Sequence, residues 1–511
     1  MPTKSPIVLD KQNKILLDRL NSISAALWAE KNPEVPSKDV NFYDYDGTLV
    51  HSYTRAEFLA LEALPGSPAH EGLTPQGWNW TLADAQEYVT AYKYLDIGQT
   101  YITDDGKTRL YFDISETERL TVKIRFTQDT SEGVSVNWGD GSAAETSEST
   151  GAIELEHTFP AAGKYIATLT VAEGCEVMLG TSTATTPNGG DTQVGQYHRN
   201  SFVAGAYLGG RDPLVALEIG SGVTSLGCAA LLFSTNLETV TIPYGVEIGY
   251  AVAFEGCFQL KAVVLPKGFT TLHDFAFRCC YSLKAVSLPA SLETLGMGTF
   301  KTCVTLKRIT IPSSVTQIKR NTFENCFSAF VIGIPDSVQS FGTEAFRNCY
   351  TVRALRVPEG ITELPNYCFH HCHNLTEITL PSTLETIGVM CFGSVFGIRS
   401  LTIPASVTRI KEFAFLFCDG NEEIHILATT PPTLDSATAF SSVNIDLSVY
   451  VPWSEDHSVL AAYLEATNWC GIDYLTEEPE PEVTEEETEE TTEETTEEDP
   501  PAEDPSNTTP A

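Results

Sequence analysis

Apolar and polar positions recur along residues 214–428 at a fixed interval of 23 residues. In each unit two apolar residues alternate along a short segment, a proline follows, and further apolar residues lead to a phenylalanine. In one such unit Val286 and Leu288 are predicted to point inward from a strand, and Leu292 and Leu295 to begin the return side. Because so short a unit cannot bury its apolar side alone, the pattern predicts coils stacked into a solenoid with one continuous core.

Three residue types keep the register of this array. The prolines are Pro243, Pro266, Pro289, Pro312, Pro335, Pro358, Pro381 and Pro404. The phenylalanines are Phe254, Phe277, Phe300, Phe323, Phe346, Phe369, Phe392 and Phe415. The cysteines are Cys257, Cys280, Cys303, Cys326, Cys349, Cys372 and Cys418, and Val395 takes the place of a cysteine in one coil. Eight prolines in register predict eight adjacent coils, which at strand spacing extend over about 38 Å before any caps.

The repeated phrase is specific enough to point to a family. The unit "IPSSVTQIKRNTFENC" (residues 311–326) resembles the BspA-type leucine-rich repeats, and this resemblance covers about two-fifths of the chain. It implies a curved solenoid that binds partners and is not a catalyst.

The cysteines allow two interpretations. The chain has 13, of which seven form the ladder described above. Equivalent residues of neighbouring coils lie about 4.8 Å apart, so disulfides between coils are within geometric reach. We favour buried free thiols that fill space as small apolar groups.

Residues 1–98 are predicted to hold a helix and a small α+β module. Within "NKILLDRLNSISAALWAE", Leu16, Leu20, Ile23 and Leu27 define an apolar face that either docks on its own domain or makes a homo-oligomer. Further on, Thr54 with Glu57 forms a capping box, and Thr81 caps a second helix.

The run from Phe42 to about Tyr94 carries the phrases "YDYDGT", "SYT", "ALP" and "GLTPQGWNW". Through them it resembles an N-terminal module of gut bacteriophage tail proteins. The resemblance implies a virion protein, which leaves the cell by lysis and needs no signal peptide.

One motif in this module suggests chemistry. Asp44, Asp46, Gly47 and Thr48 match the pattern of the haloacid dehalogenase phosphatases, in which the first aspartate attacks phosphorus and the second acts as acid and base beside magnesium. The surrounding sequence lacks the buried parallel strand and the later lysine and aspartate motifs of that family. The alternative is a tight turn at Asp46-Gly47 between two strands, which we favour.

Residues 99–174 alternate apolar and polar positions and are predicted to form a β-sandwich. Its motif residues resemble the PKD-type immunoglobulin-like domains, namely Trp138, Gly139, Asp140, Gly141, His157, Phe159, Gly163 and Tyr165. The resemblance implies a rigid spacer, and Asp140 is expected to cap a turn with its own backbone. Residues 175–213 are assigned as linker and lead-in to the solenoid.

The chain is predicted to end in a cap and a tail. Residues 429–476 should close the stack with a strand and an amphipathic helix. Residues 477–511 contain 16 acidic residues, no basic residue and almost nothing apolar, and are expected to be disordered.

Charge and hydropathy exclude some classes of partner. The formal charge of −37 falls to −21 when the acidic tail is set aside, and neither value suits a nucleic-acid partner. No segment approaches the length of about 20 apolar residues that spans a bilayer, and the N-terminus does not resemble a signal peptide. We therefore expect a virion or extracellular location without membrane insertion.

A cluster of possible metal ligands lies in "YCFHHCHN". It gathers Cys368, His370, His371, Cys372 and His373, but Cys372 belongs to the inward ladder and three successive positions cannot converge on one ion. We predict no metal site, no cofactor and no catalytic residue.

Two rows of the solenoid are candidates for binding. The residues after the ladder positions line one edge with mostly aromatic rings, namely Phe258, Tyr281, Phe327, Tyr350, His373 and Phe396, with Val304 among them. The outward strand positions are Thr241, Val264, Ser287, Thr310, Gly333, Arg356, Thr379 and Thr402, a small and nearly neutral row. The aromatic row either binds a ligand or serves to cover itself.

The sequence therefore predicts a multidomain, non-enzymatic binding or adhesion protein whose solenoid recognises a bacterial or host surface protein or glycan. A bacteriophage tail or receptor-binding component is the favoured role, and a bacterial cell-surface adhesin or an aspartate-dependent phosphatase are the alternatives.

Overall fold

The computed structural model describes residues 38–114, 120–180, 202–204, 213–249, 252–443, 446–469, 472 and 474–480. The predicted N-terminal helix and the acidic chain beyond Glu480 lie outside these residues. No helix of the described part is long and apolar enough to cross a membrane.

The first unit is an α+β module with its own core. Its elements are β1 (Val40–Tyr43), β2 (Leu49–Tyr53), α1 (Arg55–Leu59), β3 (Leu73–Trp78), α2 (Leu82–Ala91) and β4 (Leu95–Thr103), with the sheet order β2-β1-β4-β3. The capping box of Thr54 and Glu57 and the cap at Thr81 are both present, as predicted. We call this unit the N-terminal module. It runs to Thr103 rather than to residue 98, because β4 pairs with β1 and β3 along its whole length.

The second unit is a two-sheet β-sandwich. Its strands are β5 (Thr108–Ile114), β6 (Thr121–Gln128), β7 (Val134–Asn137), β8 (Glu145–Thr146), β9 (Gly151–Thr158), β10 (Gly163–Val171), β11 (Val177–Leu179) and β12 (Val203–Ala204). The strand β11, predicted as part of a linker, pairs with β6 inside the sandwich.

The predicted motif residues of the sandwich form one cluster. Trp138 is fully buried and stacks on His157 with ring centroids 4.7 Å apart. Asp140 accepts a hydrogen bond from the Ser142 backbone N–H (2.9 Å) and contacts His157 Nε2 (2.8 Å), so the predicted turn cap is confirmed. These contacts hold the pKa of the Asp140 carboxyl below its usual range, the bonds to Ser142 being the main cause.

The third unit is the solenoid, whose strands of mostly two to five residues form two parallel stacks. On one side lie β13 (Leu214–Glu218), β15 (Thr239–Thr241), β17 (Ala262–Val264), β19 (Ala285–Ser287), β21 (Arg308–Thr310), β23 (Val331–Gly333), β25 (Ala354–Arg356), β27 (Glu377–Thr379), β29 (Ser400–Ile403), β31 (Glu423–Ile426), β33 (Ser448–Val451) and β34 (Leu475–Glu477). The return side carries β14 (Val223–Leu226), β16 (Glu247–Ile248), β18 (Thr271–Leu272), β20 (Thr294–Leu295), β22 (Gln317–Ile318), β24 (Ser340–Phe341), β26 (Glu363–Leu364), β28 (Thr386–Ile387), β30 (Arg409–Ile410) and β32 (Thr433–Leu434). The solenoid has about 11 turns, because an atypical first coil and the C-terminal coils extend the eight-proline register.

Phenylalanine rings run through the core of the solenoid as a stack. Phe323 is fully buried, and its centroid lies 5.7 Å from those of Phe300 and Phe346. The inward positions predicted for Val286, Leu288, Leu292 and Leu295 are also buried. The sequence register of the coils is therefore confirmed.

The ladder cysteines are buried free thiols that donate hydrogen bonds between coils. The Cys303 thiol donates to the Phe277 carbonyl oxygen (3.1 Å), and the Cys326 thiol donates to that of Phe300 (3.2 Å). Desolvation raises the pKa of Cys326 to about 12. All twelve described cysteines are free, so the alternative of disulfides between coils is not realised among them.

The sandwich and the solenoid are fused rather than linked. β13 pairs antiparallel with β5 of one sheet, and β14 pairs parallel with β11 of the other. One apolar core consequently runs from Leu110 in the sandwich to Ile472 at the far end. The sandwich thus seals the first coil, which corrects the expectation of a separate spacer.

The other end is sealed by the 3-10 helix Ala437–Phe440, β33, α3 (Ser458–Glu465) and β34. Phe440 extends the ring stack, and the fully buried Trp469 packs against it at 5.8 Å. A strand and a helix occur here as predicted. Glu477 ends β34 and contacts His457, so the ordered chain continues into the segment predicted to be disordered.

The ring stack gives the first prediction. Replacing Phe323 with alanine leaves a cavity between two coils and should lower the free energy of unfolding by about 3–5 kcal/mol. Thermal and chemical denaturation measure this loss. The matched control is Phe327→Ala, a half-buried ring at the edge, which should cost clearly less; equal losses would contradict the register.

The thiols give the second prediction. Alkylation of the folded protein should spare Cys280, Cys303, Cys326 and Cys349, because the reactive thiolate is not formed in the buried, desolvated site. Cys279 is partly exposed and serves as the internal control that reacts first. Mass spectrometry after denaturation should show all five labelled, and native labelling of Cys303 at the rate of Cys279 would refute a closed core.

Candidate binding surfaces

The outward side of β15 to β29 is the predicted small, neutral row, and we call it the strand face. Its first four outward residues, Thr241, Val264, Ser287 and Thr310, are at most 4% exposed, whereas Arg356, Thr379 and Thr402 are exposed. The difference arises because the N-terminal module lies on the first part of the face. We call residues Thr241 to Thr310 of this row the covered half, and the row from Arg356 to Thr402, with the neighbouring Glu377 and Ser400, the open half.

The module contacts the covered half mainly through β4, which touches β15, β17, β19 and β21. The backbone approaches closely at Gly98, where an added Cβ would come within 2.5 Å of a Val264 methyl group. The Gly98 N–H is satisfied by Asn79 Oδ1 (2.9 Å) from the module itself. A glycine is therefore required where β4 crosses the coils, because a side chain at this position would clash with Val264.

Polar groups of the module satisfy polar groups of the coils. Asn79 Nδ2 donates to Leu265 O (3.0 Å) and to Ser287 Oγ (3.0 Å). Trp80 Nε1 donates to Leu288 O (2.8 Å), and the Tyr88 hydroxyl donates to Ile311 O (2.9 Å). Each of these bonds satisfies an oxygen atom of the coils that has lost its contact with water through burial.

A buried ion pair lies at the centre of the contact. Arg308 Nη2 lies 3.2 Å from Asp96 Oδ1, with side chains 9% and 4% exposed. The guanidinium also donates to the carbonyl oxygens of Asp39 (2.6 Å) and Leu95 (3.2 Å), and it lies 4.8 Å from the Tyr94 ring. Burial raises the pKa of the Asp96 carboxyl, against the opposing effects of Arg308 and the hydrogen bond from Asn41.

The sequence predicted the outward row but not that the N-terminal module covers half of it. The available signal was the small size of the outward side chains in the early coils, where Ala262, Val264, Ala285 and Ser287 leave room for another backbone. In the open half the equivalent positions include Arg356, Glu377 and Thr379, which are larger and more polar.

The predicted aromatic row forms two stacks that are separated at Val304. Phe258 and Tyr281 stack at 4.9 Å, and Phe327, Tyr350, His373 and Phe396 stack at 4.8 to 5.0 Å. Neighbouring faces cover one another, and every ring except Tyr281 is half-buried. Tyr281 is 40% exposed and ends its stack.

The histidine cluster also lies at this edge. His371 Nδ1 and His373 Nε2 are 3.2 Å apart, while Cys368 and Cys372 are buried in the core. Burial lowers the pKa of His370 to about 3 and of His371 to about 4; the charge of Arg347 adds to both shifts, and the neighbouring imidazoles add to that of His370. Among the described residues no three histidine, cysteine or acidic side chains are arranged to hold a metal ion.

The aspartate motif forms a turn between β1 and β2. Asp44 is 4% exposed, and its Oδ2 lies 2.7 Å from His70 Nε2. Asp46 Oδ1 accepts from the Thr48 N–H (2.8 Å), and Gly47 has φ +85°. The predicted tight turn is confirmed, with β1 and β2 antiparallel around it.

Comparison with known proteins shows that the sequence of the solenoid is similar to leucine-rich repeats. Residues 210–330 and 330–445 match the family model described as the BspA type leucine rich repeat region. No curated protein matches the sequence significantly.

Several solved structures are similar to parts of the chain. A leucine-rich repeat protein from Bacteroides ovatus ATCC 8483 is 21% identical with a TM-score of 0.32, over 53% of this chain and 86% of its own. A leucine rich repeat protein of T. pallidum is 31% identical with a TM-score of 0.29, over 31% and 74%. A leucine rich cell surface protein from Faecalibacterium prausnitzii A2-165 is 21% identical with a TM-score of 0.25, over 50% and 87%.

The ion pair gives the third prediction. Arg308→Ala leaves the Asp96 carboxylate buried without its partner and should cost about 3–5 kcal/mol. Hydrogen exchange should rise in β19 and β21 as the module loosens, and thermal unfolding should begin earlier. Adding Asp96→Asn to this variant should restore part of the lost stability, because burying a neutral amide costs less free energy than burying a carboxylate.

Arg320→Ala is the matched control, because Arg320 is 63% exposed and its contact with Glu344 is long, at 3.6 Å. It should change stability by less than about 1 kcal/mol. If Arg308→Ala behaved like this control, the buried pair would not hold the module on the strand face.

Proposed function

We propose that this protein is a non-enzymatic binding or adhesion protein whose ligand occupies the open half of the strand face, in keeping with the match of residues 210–330 and 330–445 to the BspA type leucine rich repeat region. The observation that carries the proposal is the occupancy of the covered half by the N-terminal module. The face already binds polypeptide inside the molecule, and the exposed Arg356, Thr379 and Thr402 continue the same surface. The ligand is a bacterial or host surface protein or glycan.

The aromatic row is the second candidate surface. Phe258, Tyr281, Phe327, Tyr350, His373 and Phe396 offer stacked rings, which suit sugars and peptide groups. The exposed ring of Tyr281 at the end of its stack favours this candidate. The mutual coverage of the other faces favours a structural role for most of the row.

We assign the protein to a bacteriophage tail or receptor-binding assembly, with a bacterial cell-surface adhesin as the alternative. The phrases between Phe42 and Tyr94 support the first role, and the solenoid suits both. Neighbouring genes for tail and lysis proteins would favour the virion, whereas secretion and sugar-uptake genes would favour the adhesin.

The PKD-like interpretation of the sandwich is part of the same proposal. It is supported by the contacts among Trp138, Asp140 and His157. In this role the domain carries the solenoid and closes its first coil.

A non-enzymatic role is supported by the surroundings of the aspartate motif. Asp44 contacts His70 and accepts the Tyr45 N–H (2.9 Å), while Asp46 holds the turn. Both carboxylates thus have structural partners, which leaves the aspartate-dependent phosphatase as the least supported alternative.

The fourth prediction separates the two surfaces. Thr379→Arg with Thr402→Arg places two bulky charges on the open half and should weaken attachment at least about tenfold, because a partner must then desolvate them. Attachment is measured with labelled full chain on a panel of whole bacterial cells and on a glycan array. Unfolding should be nearly unchanged, since both threonines are exposed.

Thr316→Arg with Thr362→Arg is the matched control, because both are exposed on the return side. Tyr281→Ala with Tyr350→Ala tests the aromatic row in the same assay. Attachment lost only in the tyrosine variant would move the site to the aromatic row, and attachment lost in none would reject both surfaces.

A further inference from the structure

The covered half shows how the strand face binds a polypeptide. The Ser287 hydroxyl donates to the Asp96 carbonyl oxygen (2.9 Å), and the Asp96 N–H points to Thr310 Oγ1 (3.4 Å). Outward hydroxyls of the coils therefore hold the backbone of the extended strand β4. The close approach at Gly98 makes this binding depend on a small residue two positions later.

One strand of this arrangement has a counterpart three coils further on. Arg308 and Thr310 are the first and third residues of β21, and Glu377 and Thr379 are the first and third residues of β27. Since the coils repeat every 23 residues, Glu377 stands where Arg308 stands and Thr379 where Thr310 stands. At the same shift Ser287 corresponds to Arg356, whose guanidinium can also donate to a main-chain carbonyl oxygen, and Thr402 supplies an exposed hydroxyl in the next strand, β29.

Charge is the difference between the two positions. Arg308 is buried and paired with Asp96, whereas Glu377 is exposed and has no ion pair among the described residues. A ligand in the same pose would thus meet a carboxylate where β4 meets a guanidinium. A basic side chain fits this position.

The open half also adjoins the internal interface without a break. The Asp336 N–H donates to the Tyr92 hydroxyl (2.9 Å) at the edge of the module, and Arg356 Nη1 lies 2.5 Å from Asp336 Oδ1. The surface that binds β4 therefore continues directly into the surface that is exposed.

We propose that the open half binds an extended polypeptide segment through its main chain, with Lys or Arg facing Glu377. This inference rests on the proposed function and names the partner as protein rather than glycan. The ligand main chain would exchange hydrogen bonds with Thr379 and its neighbours, which tolerates many ligand sequences, while Glu377 supplies the selectivity.

Two synthetic peptides test the proposal on the full chain. Both copy residues Tyr94–Tyr101, and one carries Asp96→Lys. Fluorescence anisotropy at low salt, with protein up to about 1 mM, should show the lysine peptide binding roughly three- to tenfold more tightly, because attraction by Glu377 replaces repulsion.

Protein variants locate the site. Glu377→Lys should reverse the preference so that the aspartate peptide binds more tightly. Glu385→Lys makes the same charge change at an exposed residue next to return strand β28, and it should leave the preference unchanged.

Three results would overturn the inference: no saturable binding of either peptide, equal binding of both, or a preference that Glu377→Lys leaves intact. The attachment assay with Thr379→Arg and Thr402→Arg is independent of these peptides. If attachment were lost in that assay while the peptides failed, the open half would remain the site with a glycan ligand, and only the polypeptide inference would fall.

Discussion

The structure depends on the stacking of coils that cannot exist alone. Each coil buries one phenylalanine between the rings of its neighbours, and each ladder thiol donates to a carbonyl oxygen of the coil before it. The free energy of a coil is thus shared with both neighbours, as expected for a linear repeat. A stack of this kind always leaves two open ends, and both must be closed by something that is not a repeat.

The two ends are closed in different ways. At the N-terminal end, β5 of the sandwich pairs with β13 and β11 pairs with β14, so both strands of the first coil are hydrogen-bonded to the sandwich. At the C-terminal end, Trp469 packs on the last ring and Tyr463 packs on Trp469, and their polar atoms donate to the carbonyl oxygens of Pro432 and Ala428. A closed end removes exposed apolar surface and unpaired strand edges, both of which promote aggregation.

The N-terminal module determines which surface is left for a partner. It has a separate apolar core around Phe42 and Trp78, and its contact with the coils includes hydrogen bonds and an ion pair, through Asn79, Asp96 and Arg308. Separate cores with such contacts are typical of interfaces between domains. Half of the strand face is consequently an internal surface, although its residues resemble the rest of the row in sequence.

The sequence by itself determined the solenoid, because a strict interval of 23 residues fixes which side chains share a core position. Ring register, inward strand residues, free thiols, the turn at Asp46-Gly47 and the helix caps all depend on neighbours in sequence or one interval away. Local rules therefore sufficed for them. The elements of the sandwich and of the C-terminal cap followed from alternation and amphipathicity for the same reason.

Only the tertiary structure decided the contacts between units. The pairing of Arg308 with Asp96 joins residues more than two hundred positions apart, and no periodicity connects them. The close approach of Gly98 in β4 to the Val264 side chain gives another example. Long-range hydrogen bonds and exclusion of space set these features, and neither leaves a pattern in one chain.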